Sequence, residues 1–589
     1  MILGNPPYGR VPAQADGAGR AREGWAHWGG GHPLLDDYVQ PLRREGGGAH
    51  LKNLHNLYVY FWRWACWRAF EVRGTPGIVA FVTASSFVRG PGFGGMREQL
   101  RRRVDEIHVL DLGGAARGPR AEQNVFGVAT PICVTALLRL AQREPQIPAE
   151  VRYERAQGSR EEKLAACQSW RLRPGSRRGE PERPPRDWQA PLLEASRGAE
   201  AGWPKLAEIF PWRHSGAQFK RTWPIAADPE TLERRFHALL AAPAAERGAL
   251  FRESRDRKLD RGAPPLEAGA RREPPLASLA LGAEAPRPRR YGFRSWDRQY
   301  CLADARLGDF LRPSLWAVAG QTQIFLTSLL SGGLGPGPAA TVSAHVPDLH
   351  HFRGSYGGRD VIPLWRDAEG QEPNLCPRFW DRLEGALGAR PVAEDVFAYA
   401  YAILANPGYG RRFEETLAAP GLPLPFTRSP GLFARGAALG RELIRWHTYG
   451  ERFRSTGDGF ALHGDARIRR AIGERDGGSP RSYAFDAEQA RLRIGEGEIA
   501  PISAEVMELR VSGLPILKSW LGHRMRAGAG RRSSPLDRIR PERWSEAMSE
   551  ELLALIWSLE WTIARYATLE NFLENVLQGP LLGPLPADP

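Results

Sequence analysis

Asn5-Pro6-Pro7-Tyr8, within the opening MILGNPPYGR, is the stretch whose residue types best fit a chemical task. Each proline fixes its φ and withdraws its backbone N–H, so the turn offers carbonyl oxygens without competing donors. The Asn5 side-chain oxygen adds a further acceptor beside them. Such oxygens can accept both hydrogens of an exocyclic amine and draw its nitrogen toward a tetrahedral, nucleophilic state. Tyr8 supplies a stacking face for the planar ring that carries the amine. The plainer alternative is a Pro-Pro turn capped by a tyrosine. With eight Asn, 49 Pro, 19 Trp, 14 Tyr and 23 Phe in 589 residues, chance gives roughly 0.005 Asn-Pro-Pro-aromatic matches per chain of this make-up.

A turn of this kind has to be held by regular elements, and residues 51–140 carry the most regular pattern. LKNLHNLYVYFWRWACWRAF (51–70) sets Leu54, Leu57, Tyr58, Phe61, Trp62 and Ala65 at helical spacing, which predicts an amphipathic helix. GIVAFVTASSF (77–87) is β-rich and opened by Gly, consistent with a buried strand. MREQLRRRV (96–104) reads as a helix, EIHVLDLGG (106–114) as a strand, and NVFGVATPICVTALLRL (124–140) as another strand apolar on both faces. Helix, strand, helix, strand, loop, strand is the closing half of a doubly wound α/β sheet.

From about 143 to 202 the composition shifts to Arg, Glu, Pro, Gly and Ser, which reads as a linker or extended arm, and a second such stretch runs from about 254 to 290. Helices are expected at 230–242, 392–406 and 549–566, with short strands in IFLTSLL, TVSAHV and RDVIPLW. No internal repeat is visible.

At 589 residues the chain exceeds one core, so two or more domains are expected. It contains no run of eighteen uncharged apolar residues and no basic-then-apolar leader, so neither membrane insertion nor export is indicated. Five well-separated cysteines without a CxxC pair point to a reduced, cytoplasmic protein with no metal site. The net charge of +14 favours a polyanionic partner such as nucleic acid. GC-rich coding is the alternative source of that charge, since only six of the 81 basic residues are Lys.

GNPPYGR, NLYVYFWRWACWRAF, PGIVAFVTASSFV, VLDLGG and NVFGVATPICV, in that order, resemble motif IV onward of the gamma-type adenine-N6 DNA methyltransferases. The chain looks most like the methylase and specificity part of the type ISP and type IIG restriction-modification enzymes. RYGFRSWDRQY (290–300), FAYAYAILANPGYGRRF (397–413), VSGLPILKSWLGHR (511–524) and DRIRPERWSEAMSEELL (537–553) are similar to their C-terminal specificity region. The resemblance implies part of a Rossmann-like methyltransferase domain at 1–142, the linker at 143–202, and a mixed α+β target-recognition domain at 203–589.

It further implies that Asn5 and the Pro6 carbonyl, with Pro7 rigidifying the turn, accept the amine of a flipped adenine in double-stranded DNA, while Tyr8 stacks on the base. Phe126 takes the place of a second aromatic on the base, its alternative being a core phenylalanine. Tyr58 falls where relatives shape the donor pocket, although core packing is the preferred reading for that helix.

The implied methyl donor is S-adenosylmethionine. Its glycine loop precedes NPPY in the gamma arrangement, and here only Met1 to Gly4 do so. The expectation is therefore a catalytic domain without its donor half, with that half, or helicase and nuclease parts, on another polypeptide. VLDLGGAARG (109–118) reads as a turn at the sheet's end, with Arg117 and Arg120 within reach of phosphate, and STGDGF (455–460) is set aside as a donor loop because no β-run precedes it. Two rival readings are a DNA-binding specificity module that cannot methylate alone, and an NPPY enzyme acting on RNA or protein glutamine.

Overall fold

Ile2–Gly4 forms strand β1, which pairs in parallel with β2 (Gly77–Ala84), placing Ile2, Leu3 and Gly4 opposite Val79, Ala80 and Phe81. The computed structural model describes residues 1–8, 35–44, 53–72, 76–114, 123–128, 130–140, 146–172, 188–192, 202–266, 272–330, 334–354, 360–413, 417, 421–454, 457, 459–476, 478–526 and 533–585. The chain divides into two units, Met1–Ala201 and Gly202–Pro589.

In the first unit, α1 (Asp36–Arg44) and α2 (Leu57–Cys66) precede β2, and α2 runs on into a π-helical turn, Trp67–Glu71. After β2 come α3 (Gly94–Arg103), β3 (Glu106–Gly113), β4 (Ile132–Arg139), β5 (Glu150–Arg155) and α4 (Arg160–Ser169). The sheet order is β1-β2-β4-β3-β5, with β4 antiparallel to both neighbours and β5 parallel to β3.

The three helices pack Tyr38, Tyr58, Trp62 and Met96 against Phe81, Ile107 and Leu137 of the sheet. A charge network ties them together: Arg63 reaches Asp37 at 3.0 Å and Glu71 at 2.6 Å, and Arg103 reaches both carboxylates at 2.5 Å. Burial pulls the Glu71 carboxyl upward, but the hydrogen bonds and charges of Arg63 and Arg103 outweigh it and hold the group below its usual range.

Two sequence expectations are corrected in this unit. The strand expected from 124 begins only at Ile132, because the Asn124 side chain hooks the preceding residues into a loop. The segment read as linker from 143 to 202 supplies β5 and α4, and it carries a readable helix start: Ser159 and Glu162 close a reciprocal capping box. Its residues 188–191 are held as well, their carbonyls accepting from Arg97 and Arg101. The Arg- and Pro-richest part, 173–187, lies outside the described residues.

The second unit is α+β with antiparallel sheets. Its strands include β6 (His214–Ser215), β7 (Ile225–Ala226), β8 (Pro288–Arg294), β9 (Asp297–Leu302), β10 (Phe325–Ser328), β11 (Thr341–Ser343) and β12 (Asp360–Pro363), followed by β13 (Arg467–Arg470), β14 (Tyr483–Asp486), β15 (Arg491–Ile494) and β16 (Gly497–Ala500). They pair as β11-β10-β12-β6, β7-β9-β8 and β13-β16-β15-β14. The expected strands in IFLTSLL, TVSAHV and RDVIPLW are β10, β11 and β12, neighbours in one sheet.

Helices α5 (Pro229–Ala241), α6 (Ala393–Leu404), α7 (Pro430–His447) and α8 (Glu546–Ala564) fill the rest of its cores. Helix α6 is apolar all round, as a central helix must be, and every residue from Val396 to Leu404 is buried. Its neighbour α7 comes close enough that a Cβ at Gly440 would run into the Ala398 carbonyl oxygen. The second stretch read as linker, 254–290, is also corrected: Leu259, Ala263, Leu266 and Leu276 pack into a core with Trp223, Phe236 and Tyr291. No helix among the described residues is long and apolar enough to cross a membrane.

Substitution Gly440→Ala should lower the denaturant midpoint of the second unit by an amount equivalent to about 1–3 kcal/mol, since neither backbone can move far. His351 and His447 are fully buried, and burial takes both down to about 3. His447 Nδ1 accepts from the Tyr401 hydroxyl at 2.6 Å, and its Nε2–H donates to Thr562 Oγ1 at 2.9 Å, an arrangement that needs the neutral ring. Their folded-state values lie below the unfolded value, so the stability they contribute is full above about pH 6.5 and drains away as pH falls toward 3. Urea unfolding followed by tryptophan fluorescence should show a midpoint that declines between pH 7 and 4, and His447→Gln should flatten that decline.

Candidate active site

The Asn5–Tyr8 turn leaves the carboxyl end of β1, the end at which open α/β sheets hold their ligands. β1 reaches that point along a tight path, because a Cβ on Gly4 would stand 3.1 Å from the Phe81 ring. Pro6 is buried, Asn5 and Pro7 are exposed, and Tyr8 is half-buried. The Tyr8 hydroxyl donates to Asn5 Oδ1 at 2.6 Å, which turns the amide oxygen toward the ring and occupies one of its two lone pairs.

The Tyr8 ring packs against a small cluster of Leu110, Leu112, Val125, Ile132 and Ala156, drawn from β3, β4, the end of β5 and the NVF loop. Burial pushes the Tyr8 phenol above its usual range and Cys133 adds to this, while the hydrogen bond to Asn5 draws it back. The hydroxyl therefore stays a protonated donor at neutral pH. Cys133 itself is pushed up to about 12 by burial, so it is a thiol and not a nucleophile.

Asn124, which the sequence did not single out, organises the loop beside Tyr8. Its Oδ1 accepts from the Phe126 N–H at 2.9 Å and the Val128 N–H at 3.4 Å, and its Nδ2 donates to the carbonyls of Gly114 and Thr130, both at 2.9 Å. Gly127 completes the turn at φ +69°. This geometry sends Val125 into the Tyr8 cluster and leaves Phe126 outside, 50% exposed. The readable signal was an Asn followed three residues later by Gly, an Asx-turn pattern. Tyr58 lies in the core, its hydroxyl 2.8 Å from Ser86 Oγ and its ring near Phe87 and Phe93.

The acid of VLDLGG is committed to the sheet's end. Asp111 Oδ1 accepts from the Gly113 N–H at 2.9 Å and Oδ2 from the Tyr153 hydroxyl at 2.7 Å, with Arg89 at 3.6 Å and Arg155 at 3.9 Å. Gly113 and Gly114 turn away at φ +57° and +86°. A donor ribose requires a free carboxylate, so these residues do not fit S-adenosylmethionine. Arg117 and Arg120 lie outside the described residues, as does part of STGDGF.

An open α/β sheet with a proline turn at the end of its first strand stands in one chain with a larger unit of antiparallel sheets. Residues 208–555 match the Type ISP C-terminal specificity domain, and the chain belongs to that family. Its fold is similar to that of the DrdV–DNA complex (TM-score 0.58, 19% identity, covering all of this chain and 57% of the other). It is also similar to a nuclease-deletion mutant of the Type ISP restriction-modification enzyme LlaGI in complex with a DNA substrate mimic (TM-score 0.59, 15% identity, 97% and 52%). A third similar structure is the ATP-dependent Type ISP restriction-modification enzyme LlaBIII bound to DNA (TM-score 0.61, 15% identity, 97% and 37%). The chain thus spans about half or less of the length of the last two and 57% of the first. A search of curated proteins returned no match.

Asn124→Ala removes four hydrogen bonds at a buried position and should cost roughly 1–3 kcal/mol. Hydrogen exchange should speed up at residues 124–130 while the β2–β4 ladder stays protected; unchanged exchange in the loop would show that Asn124 does not hold it.

Proposed function

We propose that the first unit is the target-base half of an adenine-N6 DNA methyltransferase and that residues 203–589 form the target-recognition domain of the same restriction-modification enzyme. The observation that carries this reading is the Asn5 amide oxygen, fixed by Tyr8 at 2.6 Å in a proline turn without N–H donors at the carboxyl end of β1. The remaining lone pair of Asn5 Oδ1 and the Pro6 carbonyl accept the two amine hydrogens of an adenine flipped out of the duplex. That pairing frees the nitrogen lone pair to act as nucleophile. Tyr8 stacks on the base, and Phe126, half exposed on its anchored loop, meets it from another side. The amine proton leaves after methylation to water or a nearby acceptor, so no strong general base is required.

S-adenosylmethionine, when bound, supplies an electrophilic methyl group, and the turn after β3 does not fit it because the Asp111 carboxylate is already engaged. Double-stranded DNA as partner is supported by the family, by the DNA-bound state of the similar structures, and by the net charge of +14.

One observation also favours a chain that recognises DNA but methylates only when another polypeptide completes it. β1 is the outer strand of its sheet and Leu3 is 63% exposed on it, while Phe61, Trp64 and Trp67 of α2 and the turn after it are exposed as well. A further parallel strand with its helix would cover such surfaces.

With tritiated S-adenosylmethionine and duplex DNA, the isolated chain should transfer no methyl group. In the enzyme completed by a donor-binding half, Asn5→Ala should lower transfer about 100-fold or more at unchanged DNA affinity. Full activity of that variant would remove the motif from the mechanism, and transfer by the isolated chain would show that its own residues bind the donor.

A further inference from the structure

We propose that a cleft of about 720 Å³ in the second unit, between the loop after β6, the end of β8 and the helix Ile516–Arg524 with the residues just after it, meets one edge of duplex DNA, with Lys220 and Arg526 on phosphates and Gln218 on a base edge. The inference rests on the reading of this unit as a target-recognition domain and names the surface that does the recognising.

The cleft wall is built on arginines held in fixed positions. Arg221 is paired with Asp309 at 2.5 Å and Arg524 with Asp297 at 2.9 Å, which locks both in place. Arg235 is different: it is 2% exposed and held by the carbonyls of Trp223, Ile225 and Ile539, with no carboxylate in ion-pair range among the described residues. The carboxylates that line the cleft are already engaged. Asp348 accepts from Tyr291 and Arg294, both at 2.9 Å, and Asp537 accepts from Thr222, Ser533 and Ser534 at 2.5–2.9 Å. Asp537 is bonded only to neutral donors and keeps its charge, which with that of Asp228 acts on Arg235, so the cations that an entering anion can recruit are the ones nearer solvent.

Two cations stand toward solvent. The Arg526 side chain is 50% exposed and 4.0 Å from Asp476. The Lys220 side chain is 39% exposed, lies 3.1 Å from Asp256, and shares Asp309 with Arg221 at 3.3 Å. Its backbone sits at φ +56°, a conformation uncommon for any residue but Gly. The Arg526–Asp476 pair is exposed and weak, so Arg526 can exchange its partner for phosphate, while Lys220 can turn toward phosphate because Asp309 keeps Arg221 as its closer partner at 2.5 Å.

More sheltered on the same surface, the Gln218 side-chain amide has no hydrogen-bond partner among the described residues. His523 donates Nδ1–H to the Ser519 carbonyl at 2.7 Å, and burial keeps its ring neutral, so Nε2 is left as an acceptor. Exposed cations outside and neutral hydrogen-bonding groups inside follow the order in which a nucleotide presents phosphate and base edge. A glutamine amide matches adenine N6 and N7 in the major groove.

The test uses the 589-residue chain and a fluorescein-labelled duplex of mixed sequence. Binding by anisotropy between about 50 and 200 mM salt should weaken several-fold in Lys220→Gln and in Arg526→Gln, each reducing the salt slope by about one. Because the chain has only six lysines, acetylation followed by mass spectrometry reads Lys220 directly in the unaltered protein, and duplex should protect it where inorganic pyrophosphate does not. Sequences selected from a randomised duplex pool should lose an adenine preference at one position in Gln218→Ala. Wild-type affinity and salt slope in both charge variants, with Lys220 acetylated equally with and without DNA, would overturn the cleft assignment and leave the DNA reading standing. Protection by pyrophosphate alone would make it a small-anion site, and failure of the wild-type chain to bind duplex would remove the recognition reading together with this one.

Discussion

Three residue pairs decide where the candidate chemistry can happen. Ile2, Leu3 and Gly4 lie in parallel register with Val79, Ala80 and Phe81, and the chain leaves that ladder straight into Asn5. Slipping the register by one residue would reverse which side chains face the helices, and Leu3 would take the place of Ile2 in the core. Gly4 is what allows the strand to lie against Phe81, since the ring comes within contact distance of where a Cβ would be. The parallel pairing also carries the turn to the carboxyl end of the sheet, where β3 ends in its own glycine turn and the NVF loop folds back. So short a ladder holds only because β2 is itself locked along its whole length to β4.

Arginine does two jobs in this chain, and the composition cannot separate them. A guanidinium has five donors, so it can be buried if carbonyls or carboxylates surround it. Arg97 and Arg101 stitch the segment around residue 190 to α3, Arg63 and Arg103 bind the first three helices together, and Arg235 and Arg452 are satisfied largely by backbone carbonyls. These side chains count toward the +14 charge while facing inward. The charge as a whole therefore overstates the surface available to a polyanion.

Elements rich in apolar residues, buried on one face or all round, are legible in the sequence. The helix at 57–66, the strands at 77–84 and 106–113, and the apolar helices at 393–404 and 546–564 follow from periodicity alone. What composition concealed were elements whose apolar content is small. β5 has the burial of an outer strand, and α4 is recognisable by its capping box more than by its hydrophobic face. The same reasoning explains the 254–290 segment, in which isolated leucines between prolines and arginines still reach a core without forming regular structure. At the candidate site, residue types drew attention to Asn5 to Tyr8, whereas Asn124 makes four hydrogen bonds to backbone, which periodicity does not record and only its Asn-x-x-Gly turn pattern hints at.

The segment mistaken for a linker matters most for Tyr8. The cluster that receives its ring includes Ala156 at the end of β5, and Ala166, Cys167 and Trp170 of α4 and its cap pack against the same residues. Tyr8 is therefore seated on elements that follow residue 142, and its hydroxyl can orient the Asn5 amide only as long as that seat is rigid. A displacement of this ring by an ångström would stretch or break its 2.6 Å hydrogen bond and release the amide oxygen. Physically, the packed part of the first unit extends through α4, and the arm that composition suggests can begin no earlier than the end of that helix.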